Sequence, residues 1–173
     1  MRKILVVIDM QKDFVDGALG TKEAQAIVPL VVDKIRSYNI QDVFATRDTH
    51  QPGYMNTQEG RNLPVEHCIE GTEGWEINKE VASVLDGAKI INKPTFGSTE
   101  LVDVLKGIAA KEDIEIEMIG LCTDICVVSN ALLLKAAMPE VPISVDAKCC
   151  AGVTVQKHEA ALETMRSCQI YVR

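Results

Sequence analysis

The sequence lacks any apolar run long enough to cross a lipid bilayer, so a membrane-spanning helix is not expected. It also lacks the pattern of a signal peptide, because its first apolar run, residues 4–8, is short and ends at Asp9. Basic residues are comparatively few: 18 Lys and Arg stand against 25 Asp and Glu, and the net charge of −7 argues against a nucleic-acid-binding surface. These absences predict a cytoplasmic protein that binds neither membranes nor nucleic acids.

Repeats, low-complexity tracts and linkers are absent as well, and 173 residues suit a single domain that spans residues 1–173. Hydrophobic residues make up 47% of the chain, enough for a core that needs no covalent staples. The six cysteines are therefore expected to be free thiols in a reducing cytosol, most of them small buried side chains. Cys149 and Cys150 are interpreted as packing residues near the end of the fifth predicted strand.

Short β-rich runs alternate with helical patterns along the whole chain. The predicted strands are residues 4–8, 42–46, 89–92, 114–121, 143–146 and 169–172. The predicted helices are residues 21–38, 76–85, 98–108, 124–138 and 154–167, whereas residues 47–75, rich in glycine and proline, are predicted to form a loop. This alternation predicts a parallel sheet with helices on both faces and a functional site at the carboxyl ends of its strands.

Reactive side chains follow four consecutive predicted strands. Asp9 follows the first strand, Asp48 and His50 the second, and Lys93 the third. Cys126 lies in the predicted first turn of the helix after the fourth strand. Each has an ordinary structural explanation when taken alone: Asp9 as a cap, Lys93 as a surface charge, Cys126 as a core residue. Together, at one edge of a parallel sheet, they favour a functional site.

The chemical types of these residues suit catalysis by a cysteine nucleophile. A helix start and a neighbouring Lys93 ammonium would both favour a thiolate at Cys126. Asp9 can take the thiol proton and later return it to a leaving amine. Backbone N–H groups at the helix start can form an oxyanion hole. A Cys–His pair has less support, because no histidine lies close to these residues in sequence.

Three segments of the chain carry a family resemblance: residues 6–14 (VVIDMQKDF), 93–99 (KPTFGST) and 120–127 (GLCTDICV). They resemble segments of the isochorismatase-like cysteine hydrolases, a superfamily that includes the nicotinamidases. The resemblance implies a three-layer α/β/α, Rossmann-like fold with a six-stranded, mainly parallel sheet, and a catalytic triad of Asp9, Lys93 and Cys126. It also implies a cis peptide bond between Leu121 and Cys122, with the backbone N–H groups of Cys122 and Cys126 forming the oxyanion hole.

A second resemblance concerns a metal site. Asp48, His50 and His67 match an Asp-x-His pair and a later His, before Cys, that hold a divalent ion in metal-containing nicotinamidases. The resemblance implies these three ligands, zinc as the leading metal with iron or manganese as alternatives, and no organic cofactor. Many nicotinamidases have a third histidine in this loop, whereas residues 54–59 contain none. The alternative is that Asp48 and His50 cap a turn while His67 merely packs.

The wall of the substrate pocket is assigned to Phe14, Leu63 and Leu121. Nicotinamidases often have a tryptophan a few residues before the His-Cys pair, and Leu63 is the nearest residue in role here. The one tryptophan of the chain, Trp75, follows that pair instead. This departure leaves the substrate less defined than the triad.

The leading hypothesis for function is hydrolysis of a small amide through an acyl-thioester on Cys126, with nicotinamide converted to nicotinate and ammonia. The alternatives are a related amidase acting on a carbamoyl or ureido compound, and a non-catalytic module that binds a small molecule in the same crevice. A vinyl-ether hydrolase acting on isochorismate is disfavoured, because those enzymes lack the cysteine nucleophile. A redox pair of Cys122 and Cys126 is disfavoured by its C-x-x-x-C spacing. The resemblance also implies a homo-oligomer, either a dimer or a tetramer.

Overall fold

The computed structural model describes residues 1–173 and is built around one six-stranded β-sheet. The strand order across the sheet is β3-β2-β1-β4-β5-β6, and every pairing is parallel. The order therefore reverses between β1 and β4, which is where ligands bind in open parallel sheets. This architecture confirms the predicted α/β fold. The strands are β1 (Arg2–Ile8), β2 (Val43–Asp48), β3 (Lys89–Lys93), β4 (Ile114–Leu121), β5 (Ile143–Ala151) and β6 (Tyr171–Val172).

Helices cover both faces of the sheet and divide the core in two. Side chains of α1, α2 and α4 pack in one cluster, and those of α5, α6 and α7 in the other. No helix has the length and apolar character that a membrane span requires. The helices are α1 (Lys12–Val15), α2 (Lys22–Arg36), α3 (Gln58–Asn62), α4 (Lys79–Ala82), α5 (Thr99–Ala109), α6 (Val128–Ala137) and α7 (Val155–Ser167).

The central strand β1 contributes to both clusters, because successive side chains of a strand point to opposite faces. Leu5 and Val7 face the α2 side, whereas Ile4, Val6 and Ile8 face the α6 side, and all five are buried. The apolar run that predicted a strand therefore also predicts a strand covered on both faces. Its burial forces the chain to emerge at one edge, where the first polar residue after it must find partners.

Three local predictions differ from the structure. The predicted loop over residues 47–75 contains α3 and two 3-10 turns, Tyr54–Asn56 and Glu73–Trp75; Thr57 begins α3 by accepting a hydrogen bond from the N–H of Gly60. The helix predicted over 76–85 is only Lys79–Ala82, with Asn78 as its capping residue.

Strand β5 runs five residues further than predicted, to Ala151, because a register shift opposite Met118 and Gly120 lets it continue beside β4. Cys149 and Cys150 therefore lie inside β5, in opposite halves of the core. Both are buried packing residues, as expected, and all six cysteines are free thiols.

Strand β4 packs so closely against β1 at Gly120 that a side chain has no room there. Its φ is +118°, and a Cβ atom there would overlap the carbonyl oxygen of Ile8. We expect Gly120→Ala to lower the free energy of unfolding by about 2–4 kcal/mol, since both the backbone conformation and the space are lost. Urea unfolding measures this.

Gly107→Ala is the matched control for this substitution. Gly107 lies in α5, and a Cβ atom there meets nothing within 4 Å. Alanine should raise the free energy of unfolding by up to about 1 kcal/mol at this position, because glycine is the poorer helix former. Equal unfolding midpoints for the two variants would contradict the close approach of β4 to β1.

Candidate active site

Lys93 lies at the centre of a buried triad. Its Nζ is 2.7 Å from Asp9 Oδ2 and 3.4 Å from Cys126 Sγ. Lys93 is the last residue of β3, Asp9 follows β1 directly, and Cys126 lies in a π-helical turn, Thr123–Val127, after β4. None of the three is more than 4% exposed. The structure thus brings together the three residues that the sequence predicted to share a crevice.

The Asp9 carboxylate is held by β2 as well as by Lys93. The Thr46 hydroxyl donates a hydrogen bond of 2.6 Å to Asp9 Oδ1, and the Asp9 N–H donates back to the Thr46 carbonyl at 3.2 Å. Thr46 is itself buried. One oxygen of Asp9 therefore faces Thr46 while the other faces the ammonium, and the carboxylate is fixed before any substrate arrives.

Burial governs the protonation of the triad. It raises the pKa of the Cys126 thiol well above its ordinary value; Asp9 raises that pKa further, and Lys93 offsets only part of the rise. Burial also raises the pKa of Asp9, against the lowering effect of Lys93. Burial lowers the pKa of Lys93, but Asp9, Cys126 and Asp48 outweigh it, so the ammonium stays charged.

The pKa of Cys126 is therefore raised, and the expectation of a lowered thiol pKa is wrong. That expectation rested on the helix start and on Lys93, whereas the loss of water around the sulfur and the neighbouring carboxylate have the larger effect. The thiol must lose its proton to a nearby group during reaction, and Asp9 is that neighbour.

The turn that carries Cys126 has unusual backbone geometry. The peptide bond between Leu121 and Cys122 is cis, as the resemblance implies. The carbonyl of Cys122 accepts hydrogen bonds from the N–H groups of Ile125 and Val127, which closes the turn. The N–H of Cys122 makes no hydrogen bond within the protein. It is thus available as a hydrogen-bond donor.

A cavity of about 250 Å³ opens above Cys126, and its lining is mostly apolar. Phe14, Leu63 and Leu121, the predicted wall residues, all contribute to it. The structure adds Phe96 and Val153, which the sequence did not mark as pocket residues. Phe96 lies in residues 93–99, one of the three segments that carry the family resemblance, and its position near Lys93 was the signal available in the sequence. Val153 follows β5, and no sequence pattern marked it as a pocket residue.

A group of four metal-ligand side chains adjoins the triad, consisting of Asp48, His50, His67 and Glu59. Their donor atoms all lie within 4.8 Å of one another. The Nε2 atom of His50 is 3.0 Å from Asp48 Oδ2 and 3.5 Å from Glu59 Oε1. His67 Nδ1 lies 2.8 Å from the carbonyl of Val65, which leaves its Nε2 facing the carboxylates. Two imidazoles and two carboxylates suit a divalent transition metal.

Glu59 is the residue that sequence reasoning missed. Residues 54–59 lack the third histidine that many nicotinamidases have in this loop, and the structure places the carboxylate of Glu59 there instead. Glu59 lies in the first turn of α3, which begins at Thr57 within the supposed loop. A carboxylate is an equally suitable ligand for zinc, iron or manganese, so chemical type rather than residue identity was the useful signal.

Two polar residues after Asp9 fasten this group to the sheet. The Gln11 side chain donates to the carbonyl of Asp48 and accepts from its N–H, at 2.8 and 2.7 Å. Asp13 Oδ2 accepts a 2.8 Å hydrogen bond from the N–H of Cys68, next to His67. The Gln11 amide and the Asp13 carboxylate therefore position the metal-ligand residues, and both lie in the segment that also carries Asp9.

Comparison with known proteins decides the family of the chain. The family model described as the isochorismatase domain matches residues 3–173. The chain belongs to the isochorismatase family. The isochorismatase family protein PncA of Bacillus subtilis (strain 168) is 29% identical to this family member over 145 residues, covering 76% of this chain and 78% of that protein.

Solved structures give the same result. The crystal structure of nicotinamidase/pyrazinamidase PncA from Bacillus subtilis has a TM-score of 0.82 at 26% identity, over 99% of each chain. That of Pyrococcus horikoshii pyrazinamidase in complex with zinc has a TM-score of 0.80 at 26% identity, over 100% of this chain and 99% of that chain. The crystal structure of N-carbamoylsarcosine amidase from Thermoplasma acidophilum has a TM-score of 0.78 at 25% identity, over 100% of this chain and 96% of that chain.

These relatives confirm the predicted superfamily, its nearness to nicotinamidases and the amidohydrolase class. The homo-oligomer, the cytoplasmic location and the single domain over residues 1–173 stay predictions.

Removal of Glu59 tests the metal-ligand group without reference to activity. We expect Glu59→Ala to weaken binding of Zn²⁺ at least about tenfold, because even outer-shell partners contribute that much. Titration against a chromophoric chelator measures the affinity, and elemental analysis gives the metal content. Glu66→Ala, an exposed carboxylate in the same loop, is the control and should bind Zn²⁺ normally. Equal affinities for the two variants would remove Glu59 from the ligand set.

Proposed function

We propose that this family member is a cysteine amidohydrolase that cleaves a small amide through an acyl-thioester on Cys126, with nicotinamide as its leading substrate. The observation that carries the proposal is the buried contact of Lys93 Nζ with both Asp9, at 2.7 Å, and Cys126, at 3.4 Å. This arrangement lies below a mostly apolar cavity, where a small neutral amide loses its water on binding.

In the first half-reaction, Asp9 accepts the thiol proton of Cys126 as the sulfur attacks the carbonyl carbon of the amide. Lys93 stays charged and stabilises the developing thiolate. A C–S bond forms, and the N–H groups of Cys122 and Cys126 donate to the new oxyanion. Asp9 then returns its proton to the nitrogen, the C–N bond breaks, and ammonia leaves.

In the second half-reaction, a water molecule replaces ammonia. Asp9 takes a proton from this water, whose oxygen attacks the thioester carbon of acyl-Cys126. The C–S bond breaks, the sulfur regains a proton from Asp9, and a carboxylic acid is released. One amide and one water thus give one acid and one ammonia, and the triad returns to its starting protonation.

Asp48, His50, Glu59 and His67 would hold a divalent metal, and we propose zinc, since the Pyrococcus horikoshii pyrazinamidase was crystallised with zinc. When bound, the metal supplies a Lewis-acid position beside the cavity that a ring nitrogen or a water can occupy. Asp48, Glu59 and His67 also line the cavity, so this group orients the substrate at one end of it.

The second candidate is an amidase that acts on a ureido compound. The Thermoplasma acidophilum relative is an N-carbamoylsarcosine amidase, and the same triad suits a carbamoyl carbon. A non-catalytic binding module is disfavoured, because such a module needs neither a buried ammonium nor a thiol in contact with it. A screen of nicotinamide, pyrazinamide and ureido acids for ammonia release separates these candidates.

Replacing the nucleophile tests the covalent step. We expect Cys126→Ala to lower kcat for ammonia release from nicotinamide at least about 10³-fold, because no other group can form the thioester. Its circular dichroism spectrum should match the wild type. Cys168→Ala, at the end of α7, is the control and should retain full activity. Ammonia release that survives in Cys126→Ala would refute the nucleophile assignment.

The raised pKa of Asp9 predicts the acid side of the pH profile. Asp9 must be ionised to accept the thiol proton, so kcat/KM falls as the pH falls through the pKa of Asp9 in the free enzyme. Because burial raises that pKa, the fall is expected at a higher pH than the ordinary aspartate value of about 3.9. Rates at constant ionic strength, with metal content measured at each pH, check this. A flat kcat/KM down to pH of about 4 would contradict it.

A further inference from the structure

The cavity above Cys126 continues past the nucleophile to one basic side chain, Lys157. Its lining includes Gly152, Val153 and Lys157, which all follow β5. In the sheet, β5 lies on one side of β4 while β2, which carries Asp48, lies on the other, beyond β1. The cavity therefore runs from the metal-ligand group, across Cys126, to Lys157.

The beginning of α7 is fixed against the turn that carries Cys126. The N–H of Val153 donates a 2.9 Å hydrogen bond to Asp124 Oδ1, and the Thr123 hydroxyl lies 2.8 Å from His158 Nδ1. A Cβ atom at Gly152 would lie 2.8 Å from Asp124 Oδ1, so a larger residue there would push the two segments apart. These contacts fix the backbone on both sides of Lys157 against the turn that carries Cys126.

Lys157 has no ion-pair partner within the protein. It has no carboxylate within 4.0 Å, whereas Lys34 and Lys93 each contact two. It is the only lysine or arginine in the lining of the cavity, which is mostly apolar apart from Asp48, Glu59 and His67 at the metal-ligand end. Lys157 is an exposed residue. An unpaired cation beside a mostly apolar wall favours a ligand with a negative group at that end.

We propose that Lys157 is a specificity-determining residue that binds a carboxylate on the substrate. The inference rests on the proposed amidohydrolase function, and it favours the second candidate substrate, a ureido compound, in a form that carries a carboxylate, over neutral nicotinamide. With the scissile carbonyl over Cys126, the carboxylate extends toward Lys157, away from the metal-ligand group. One ammonium matches one carboxylate, and a neutral aromatic amide leaves this charge without a partner.

A matched pair of substrates isolates the contribution of the carboxylate. N-carbamoylglycine and its methyl ester share the scissile ureido group and differ in charge, and ammonia release is measured for both. The ratio of kcat/KM for the acid to that for the ester should exceed one in the wild type. It should fall about tenfold in Lys157→Met, mainly through a higher KM for the acid. Lys157→Arg should retain most of the ratio, because it keeps the charge.

Lys148→Met removes a charge from exposed Lys148 of β5, which does not line the cavity, and should leave the ratio unchanged. If Lys157→Met leaves the ratio at its wild-type value, or if the wild type prefers the ester, the inference about Lys157 is overturned while the amidohydrolase remains. If the wild type releases no ammonia from either ureide, from nicotinamide or from pyrazinamide, the proposed function fails and the inference fails with it.

Discussion

The buried ion pair of Lys93 and Asp9 is the interaction on which the site depends. A charged amine that is 1% exposed is costly unless a counter-charge lies beside it, and Asp9 Oδ2 at 2.7 Å meets that need. The pair exists only because β1 and β3 end at the same edge of the sheet with β2 between them. Thr46 on β2 then holds the second oxygen of Asp9. The order of the strands therefore fixes the geometry of the candidate active site.

In the proposed mechanism, the same burial allows the Cys126 thiol to act as a nucleophile without a preformed thiolate. Transfer of the proton from Cys126 to Asp9 moves a negative charge from one neighbour of Lys93 to the other and creates no new net charge. Burial raises the pKa of both acidic groups, and in the proposed mechanism the proton passes from one of them to the other. A permanently ionised thiolate is not needed, since the ammonium stabilises the charge wherever it resides.

Most of this arrangement could be predicted from the sequence, because the polar residue that follows an apolar run marks the end of a buried strand. Asp9, Asp48 and Lys93 each follow an apolar run, and parallel strands bring such ends together without further information. Glu59 and Lys157 gave no comparable signal: the first depends on a five-residue helix inside a loop, and the second reads as an ordinary surface lysine. The depth of burial around a side chain is a tertiary property as well, which is why the direction of the thiol pKa was mispredicted.

The order of strands separates the reaction from the choice of substrate. The triad comes from the ends of β1, β3 and β4, which are held by the core and by one another. The two ends of the cavity come from segments at its flanks: the β2 loop with its metal-ligand group, and the β5–α7 turn with Lys157. Flanking segments can change with little effect on the packing of the sheet. In the proposed function, the triad would therefore carry out the same thioester chemistry whichever amide the two ends of the cavity select.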